Sequence, residues 1–309
     1  MTTLSYLPPA AGFQDPDRSG ADAPDQARAV IIPFGLEASV SYGAGTAHGP
    51  EAILAASQQL ELFDEELWCE PYREFGIATV APPPIKSSIS DALDQLEGLV
   101  ENVLAQDRFP LVLGGEHALT AGAIRPFTRR HSELVVLQID AHADLRDGYQ
   151  GEHFSHASAM RRVLDFAACR VVGVGIRAFS ADEAAFITQN PARVQLFYAH
   201  EQAEWSWDAL ASALRGRTIY VTFDIDGLDS AVMPATGTPT PAGLSVPTAL
   251  DVLRLAADVG TIVGADVVEL APLPALHACD YTAAFIANKI LNYALYGAWR
   301  RSAPATLKA

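Results

Sequence analysis

From Ala29 onward the chain alternates between short unbroken apolar runs and stretches whose apolar positions recur at helical spacing. The runs Ala29–Pro33, Phe75–Val80, Pro110–Leu113, Leu134–Asp140, Arg170–Gly175, Val194–Tyr198, Thr218–Asp224 and Thr261–Val268 predict strands. Most are continuous Val, Ile and Leu, the pattern of strands covered on both faces. Between them, Ile89, Leu93, Leu96, Val100, Val103 and Leu104 keep helical spacing after the capping-type cluster Ser87–Ser90. A second helix is expected from Pro247 to Val259, with Ser245 as its N-cap and Gly260 as its stop. A third follows Asp280 and carries Phe285, Ile286, Ile290 and Leu291 on one side. This alternation predicts an α/β fold of three layers, α/β/α, around a central, mainly parallel sheet of about eight strands. Residues 1–28, rich in Pro, Asp, Ala and Gly, read as an irregular arm, and residues 29–309 as one domain without internal repeats.

Half of the 309 residues are apolar and 19% are charged, which provides for a large core and rules out wholesale disorder. The formal net charge is −16. A surface so acidic is a poor match for nucleic acid or anionic lipid, and a better one for a small cation. No apolar run reaches the roughly 18 residues of a membrane span. The stretch MTTLSYLPPAAGF lacks the basic-then-apolar order of a secretory signal. Cys69, Cys169 and Cys279 lie far apart and outside any CxxC pair, so neither a disulfide framework nor a thiolate zinc site is expected. These features predict a reduced, cytoplasmic enzyme.

The chemistry-bearing residues gather where four expected strands end, which is where ligands sit in such sheets. LVLGGEHALT ends in Glu116 and His117, and VVLQIDAHADLRD carries Asp140, His142 and Asp144 at alternate positions. In extended backbone that spacing puts all three side chains on one face. IYVTFDIDGLDS carries Asp224 and Asp226, and GADVVELAP ends in Glu269. Any one of these residues has an ordinary explanation as a helix cap, a hydrogen-bonded histidine or a solvated loop acid. Together, carboxylates crowded against apolar runs would be costly without a positive partner among them. Oxygen-rich ligation with a minority of imidazoles suits a hard first-row divalent ion, manganese best. The four aspartates balance two divalent cations, which favours a binuclear site with metals ~3.5 Å apart.

At this point the residues carry a resemblance. GGEHALT, DAHADLRD with the downstream SHAS, FDIDGLDSAVMPATGTP and ADVVELAP resemble the motifs of the ureohydrolases, the arginase–agmatinase family. SYGAGTAHGPEAI is similar to that family's Gly-rich substrate-side loop. GEHFSHASAMRR and VVELAPLPALHACDYTAA point to the bacterial agmatinase branch. The resemblance implies an arginase-like fold and two Mn²⁺ per chain. His117, Asp140, Asp144 and Asp224 would hold one metal, and Asp140, His142, Asp224 and Asp226 the other. A hydroxide between the metals would attack the guanidinium carbon, with Asp144 accepting its hydrogen bond. Glu269 matches the carboxylate that pairs with the guanidinium, and His156 the histidine that carries a proton to the departing amine. The implied products are urea and an amine, and the implied assembly is a homo-oligomer, a trimer or hexamer.

Arginases place Asn two residues beyond the last DAHxD ligand to hold the α-carboxylate, whereas this chain has Arg146 there. Agmatine is therefore the expected substrate, with Asp147 and Glu152 as acidic neighbours for its chain and Arg146 turned to solvent. The alternatives are 4-guanidinobutyrate, guanidine, arginine or a related compound, and more remotely a non-catalytic ligand-binding relative. His153 is expected at the surface. The Met233–Gly237 turn is a candidate pocket wall, and Glu116, where the family more often has Asp, is not an expected ligand.

Overall fold

The computed structural model describes residues 4–14 and 23–296. Parts of the expected arm (1–3 and 15–22) and of the expected domain (297–309) lie outside the described residues. Eight strands form one sheet: β1 Ala29–Phe34, β2 Ile77–Thr79, β3 Phe109–Gly114, β4 Leu134–Ile139, β5 Cys169–Ile176, β6 Val194–Tyr198, β7 Thr218–Asp224 and β8 Thr261–Val268. Their order is β2-β1-β3-β8-β7-β4-β5-β6, and every neighbouring pair is parallel. The expected strand at Phe75–Val80 shrinks to three residues. Phe75 closes a short helix, Tyr72–Phe75, and Gly76 at φ 61° turns the chain before pairing with β1 begins. Only glycine adopts that backbone without penalty.

Alternation along each strand sends side chains to two separate cores. Ile31, Leu111, Leu137 and Val221 pack on one face with helices 49–57, 207–214, 246–259 and 277–291. Val30, Val112, Val136 and Tyr220 pack on the other with helices 89–104, 120–123, 125–130 and 159–163. The result is the expected α/β/α sandwich. Ser88 caps helix 89–104 by accepting from Asp91 N–H at 3.1 Å, and Ser245 caps helix 246–259 through Thr248 N–H at 3.2 Å. The last helix, His277–Leu291, starts three residues before Asp280. The described part of the arm is docked: Tyr6 bridges Val80, and fully buried Phe13 donates its N–H to Thr79 Oγ1 at 3.0 Å. No disulfide joins Cys69, Cys169 or Cys279. Among the described residues no helix is long and apolar enough to cross a membrane.

For the site, the useful fact is adjacency. β3, β8, β7 and β4 are consecutive in the sheet although far apart in sequence, so their carboxyl ends open on a shared crevice.

Candidate metal centre

Each strand end delivers its ligand-type residue through local backbone geometry. β3 runs into Gly114-Gly115, where a Cβ on Gly115 would sit 2.0 Å from the Leu36 carbonyl oxygen, so only glycine lets the β1 loop approach so closely. His117 follows, fully buried. Asp140 follows β4, Asp224 ends β7, and Glu269 follows β8. Asp144 and Glu269 hold positive φ, 52° and 66°, a backbone conformation such residues seldom adopt and one that clusters at functional sites.

The ligands meet. His117 Nδ1 lies 3.1 Å from Asp140 Oδ2, 2.9 Å from Asp144 Oδ2 and 3.3 Å from Asp224 Oδ2. His142 Nδ1 lies 3.0 Å from Asp226 Oδ2 and 3.7 Å from Asp140 Oδ1. Two groups therefore form, His117 with Asp140 and Asp224, and Asp140 with His142 and Asp226. Within each, the ligand atoms lie within 4.8 Å of one another, and Asp140 is shared by both.

A ring of supporting hydrogen bonds orients the cluster. Thr222 spends its single hydroxyl proton on Asp266 Oδ1 at 2.6 Å, so at 2.9 Å from His117 Nε2 it can only accept. The hydrogen on neutral His117 therefore sits on Nε2, and Nδ1 turns a lone pair toward three carboxylate oxygens. None of those oxygens lies where a hydrogen on Nδ1 would point. Lone pairs converging on one point fit a cation at that point, and the donor set suits an oxygen-preferring divalent ion. Gln138 pins Asp140 Oδ2 at 2.8 Å, and Tyr220 and Thr120 hold Asp266 from below at 2.7 and 3.0 Å.

His117, His142, Asp144, Asp224 and Asp226 line a cavity of about 290 Å³ whose walls also include Ser41, Arg146, Tyr149, His156, Phe179, Glu183, Thr238 and Glu269. Glu269 gives Oε1 to the His117 backbone N–H at 2.6 Å and keeps Oε2 without a hydrogen-bond partner among the described residues. Arg146 lines the cavity, 4.9 Å over the Tyr149 ring and 3.7 Å from Glu183, while 38% of its side chain stays open to solvent as expected. Two expectations need correction. Asp147 is not a cavity acid, because Arg162 draws it away at 2.6 Å. Glu152 bonds to the backbone of its own loop, accepting from Phe154 N–H at 2.9 Å. Of the Met233–Gly237 turn, Gly237 lines the cavity while Met233 and Ala235 are core. His153 is exposed beside Arg162.

The arginase family model matches residues 27–296. The chain belongs to the arginase family. It is 36% identical over 280 residues to an N(1)-aminopropylagmatine ureohydrolase of Synechocystis sp., covering 86% of this chain and 89% of that protein. It is 32% identical to the Bacillus cereus agmatinase over 255 residues, 81% of this chain and 85% of that one. Among solved structures it resembles the proclavaminate amidino hydrolase of Streptomyces clavuligerus at 25% identity and a TM-score of 0.80, covering 95% and 97% of the two chains. Like its family, the protein is a hydrolase of guanidino C–N bonds, a ureohydrolase, and its strand ends carry the metal-binding type of His/Asp cluster.

The electrostatics of this ureohydrolase site fit a cationic occupant. Burial lifts the Asp144 carboxyl to about 6, helped by the neighbouring Asp140 charge. Burial likewise raises Glu269 to about 8, and the carboxylates around His142 raise that imidazole to about 12. Protons gather where cations would otherwise neutralise the cluster. His156 goes the other way: burial above all lowers it to about 4. Glu116 is fully buried and accepts from the backbone N–H groups of Ala38 and Ser39 at 2.8 and 2.7 Å. Sequence reasoning passed over Thr222 and Asp266. Each is a polar residue inside an apolar strand run, and each lies two or three positions before a candidate site residue.

Proposed function

We propose that this ureohydrolase is an agmatinase, releasing urea and leaving putrescine. Two manganese ions per chain would be held by His117, Asp140, Asp144 and Asp224, and by Asp140, His142, Asp224 and Asp226. When bound, such a pair acidifies water from a pKa of 15.7 toward about 7, giving a nucleophile at neutral pH. The observation that carries the reading is the free Oε2 of Glu269 in the wall above the buried cluster. A carboxylate there can clamp the planar guanidinium fork, and the positive φ of Glu269 aims the side chain inward. Asp144 would accept a hydrogen bond from the attacking water. His156, in the same cavity wall, is assigned the proton that the departing amine needs.

Toward the mouth, the Arg146–Glu183 pairing offsets the arginine's charge, and Tyr149 and Phe179 offer aromatic faces to a cationic tail. A second reading is favoured by the similarity to N(1)-aminopropylagmatine ureohydrolases at 36% and 35% identity, namely the same chemistry on an agmatine extended by an aminopropyl arm. Urea release from agmatine and from its aminopropyl derivative decides between them: at least tenfold higher kcat/KM for the extended substrate assigns it to this chain. We further propose a cytoplasmic homo-oligomer, a trimer or hexamer, on the strength of the family resemblance. Residues 29–309 are proposed to form one domain.

A further inference from the structure

His156 is tied to the interior by a chain of hydrogen bonds that starts at a buried carboxylate. Its backbone N–H donates to Ser39 Oγ at 2.9 Å, and its ring Nδ1 lies 3.1 Å from the same oxygen. Ser39 Oγ in turn lies 3.0 Å from Glu116 Oε1. Glu116 Oε2 is occupied by two backbone donors, the N–H groups of Ala38 and Ser39. A hydroxyl has one proton and two lone pairs, and a carboxylate can only accept. The Ser39 proton therefore goes to Glu116, and both Ser39 lone pairs receive donors from His156, one from its backbone and one from Nδ1–H.

We propose that Ser39 and Glu116 are positioning residues that hold His156 as the Nδ1–H tautomer, with Nε2 directed to the cavity as the proton-carrying atom. The inference rests on reading His156 as the proton carrier. The same chain serves both forms of the ring. In the neutral form Nε2 is free to take a proton, and in the protonated form Nδ1–H still donates to Ser39 while Nε2–H faces the departing amine. Without the chain, an imidazole rotates freely and prefers its hydrogen on Nε2, the atom that must be open. This also gives Glu116 a role that ligand-spotting in GGEH does not reveal. It comes just before His117 on the way out of β3 but turns toward the Ser39 loop.

The test is the His156 tautomer, read by solid-state nitrogen NMR on full-length protein labelled with ¹⁵N-histidine and loaded with diamagnetic zinc, His156→Asn identifying the signal. The expected wild-type spectrum has a protonated Nδ1 and a lone-pair Nε2. In Glu116→Gln the amide oxygen keeps the two backbone donors and the amide N–H donates to Ser39. Ser39 must then donate to Nδ1, and the hydrogen moves to Nε2. Ser39→Ala, which serves if the buried Gln variant does not fold, breaks the chain and gives the same swap, while Ser39→Thr keeps the hydroxyl and the wild-type tautomer. Accompanying kinetics should show kcat lowered about 10²-fold in both swapped variants, with KM and metal content near wild type. A hydrogen on Nε2 in the wild type, or no swap in either variant, overturns the proposal. A swap accompanied by an almost unaffected kcat in His156→Asn upholds the hydrogen-bond chain and removes the proton-carrier reading instead.

Discussion

Asp140 is the residue on which most of the site converges. It is fully buried, shared by both ligand groups, and held by Gln138 Nε2 on one oxygen and by the His142 N–H on the other at 2.6 Å. Asp140→Asn removes one charge from between two proposed cations, so metal analysis should find fewer than two ions per chain and urea release should fall at least 10²-fold. Full metal content in that variant would contradict a bridging role. Gln138→Leu leaves the ligands intact but unpins Asp140, and titration with Mn²⁺ should show affinity weakened about 10–100-fold. His156→Asn should lower kcat about 10²-fold at unchanged metal content. Its lowered pKa, about 4, means the ring is neutral throughout the neutral range. The pH profile of kcat should therefore show no His156 limb between about pH 6 and 8, and a limb near 6.5 that vanishes in His156→Asn would contradict the lowered pKa while supporting the proton-carrying role. The site aspartates could be read from the sequence because they alternate at strand ends. The tie from Ser39 to His156 could not, because it spans 117 positions and depends on two loops meeting.

At the scale of elements, the eight strands were legible because a strand covered on both faces must be apolar at nearly every position. Helix starts at Ser88 and Ser245 were legible from their caps. The short helix ending at Phe75 was not, since its apolar residues read equally as strand and only the turn at Gly76 separates the two. That Arg146 also lines the cavity was not legible for a related reason: Glu183 and Tyr149 lie beside it only in the folded chain. The last helix carries a further consequence. Lys289, buried within helix 277–291, reaches Asp64 at 3.1 Å and fastens the 60s loop to the core. Lys289→Met leaves Asp64 buried without its cation and should cost about 3 kcal/mol in urea denaturation. The pH dependence has a definite sign. Asp64, Glu66 and Glu65 hold Lys289 above 10.5, and burial beside Glu66 holds Tyr293 above 10.0. Both groups keep protons in the folded chain that the unfolded chain loses, so stability falls as pH rises past about 10. Denaturation midpoints measured from pH 8 to 11 should decline over the upper end, less steeply in Lys289→Met.

For the whole molecule, sheet order matters more than any single motif. β3, β8, β7 and β4 lie side by side, so residues from His117 to Glu269 share one crevice, and the sandwich buries the cluster from both layers. Arg146, Glu183, Tyr149 and Phe179 line the same cavity. The proposed function assigns substrate preference to them: Arg146 paired to Glu183, with no asparagine at position 146 to receive an α-carboxylate, would favour amine-tailed guanidines over carboxylate-bearing ones. The most direct test is kcat/KM for urea release by manganese-loaded protein, measured side by side with agmatine, N(1)-aminopropylagmatine, arginine and 4-guanidinobutyrate. The account predicts that an amine-tailed substrate leads both carboxylate-bearing ones by tenfold or more, a difference of about 1.4 kcal/mol in transition-state binding. A tenfold lead for arginine or 4-guanidinobutyrate would contradict it.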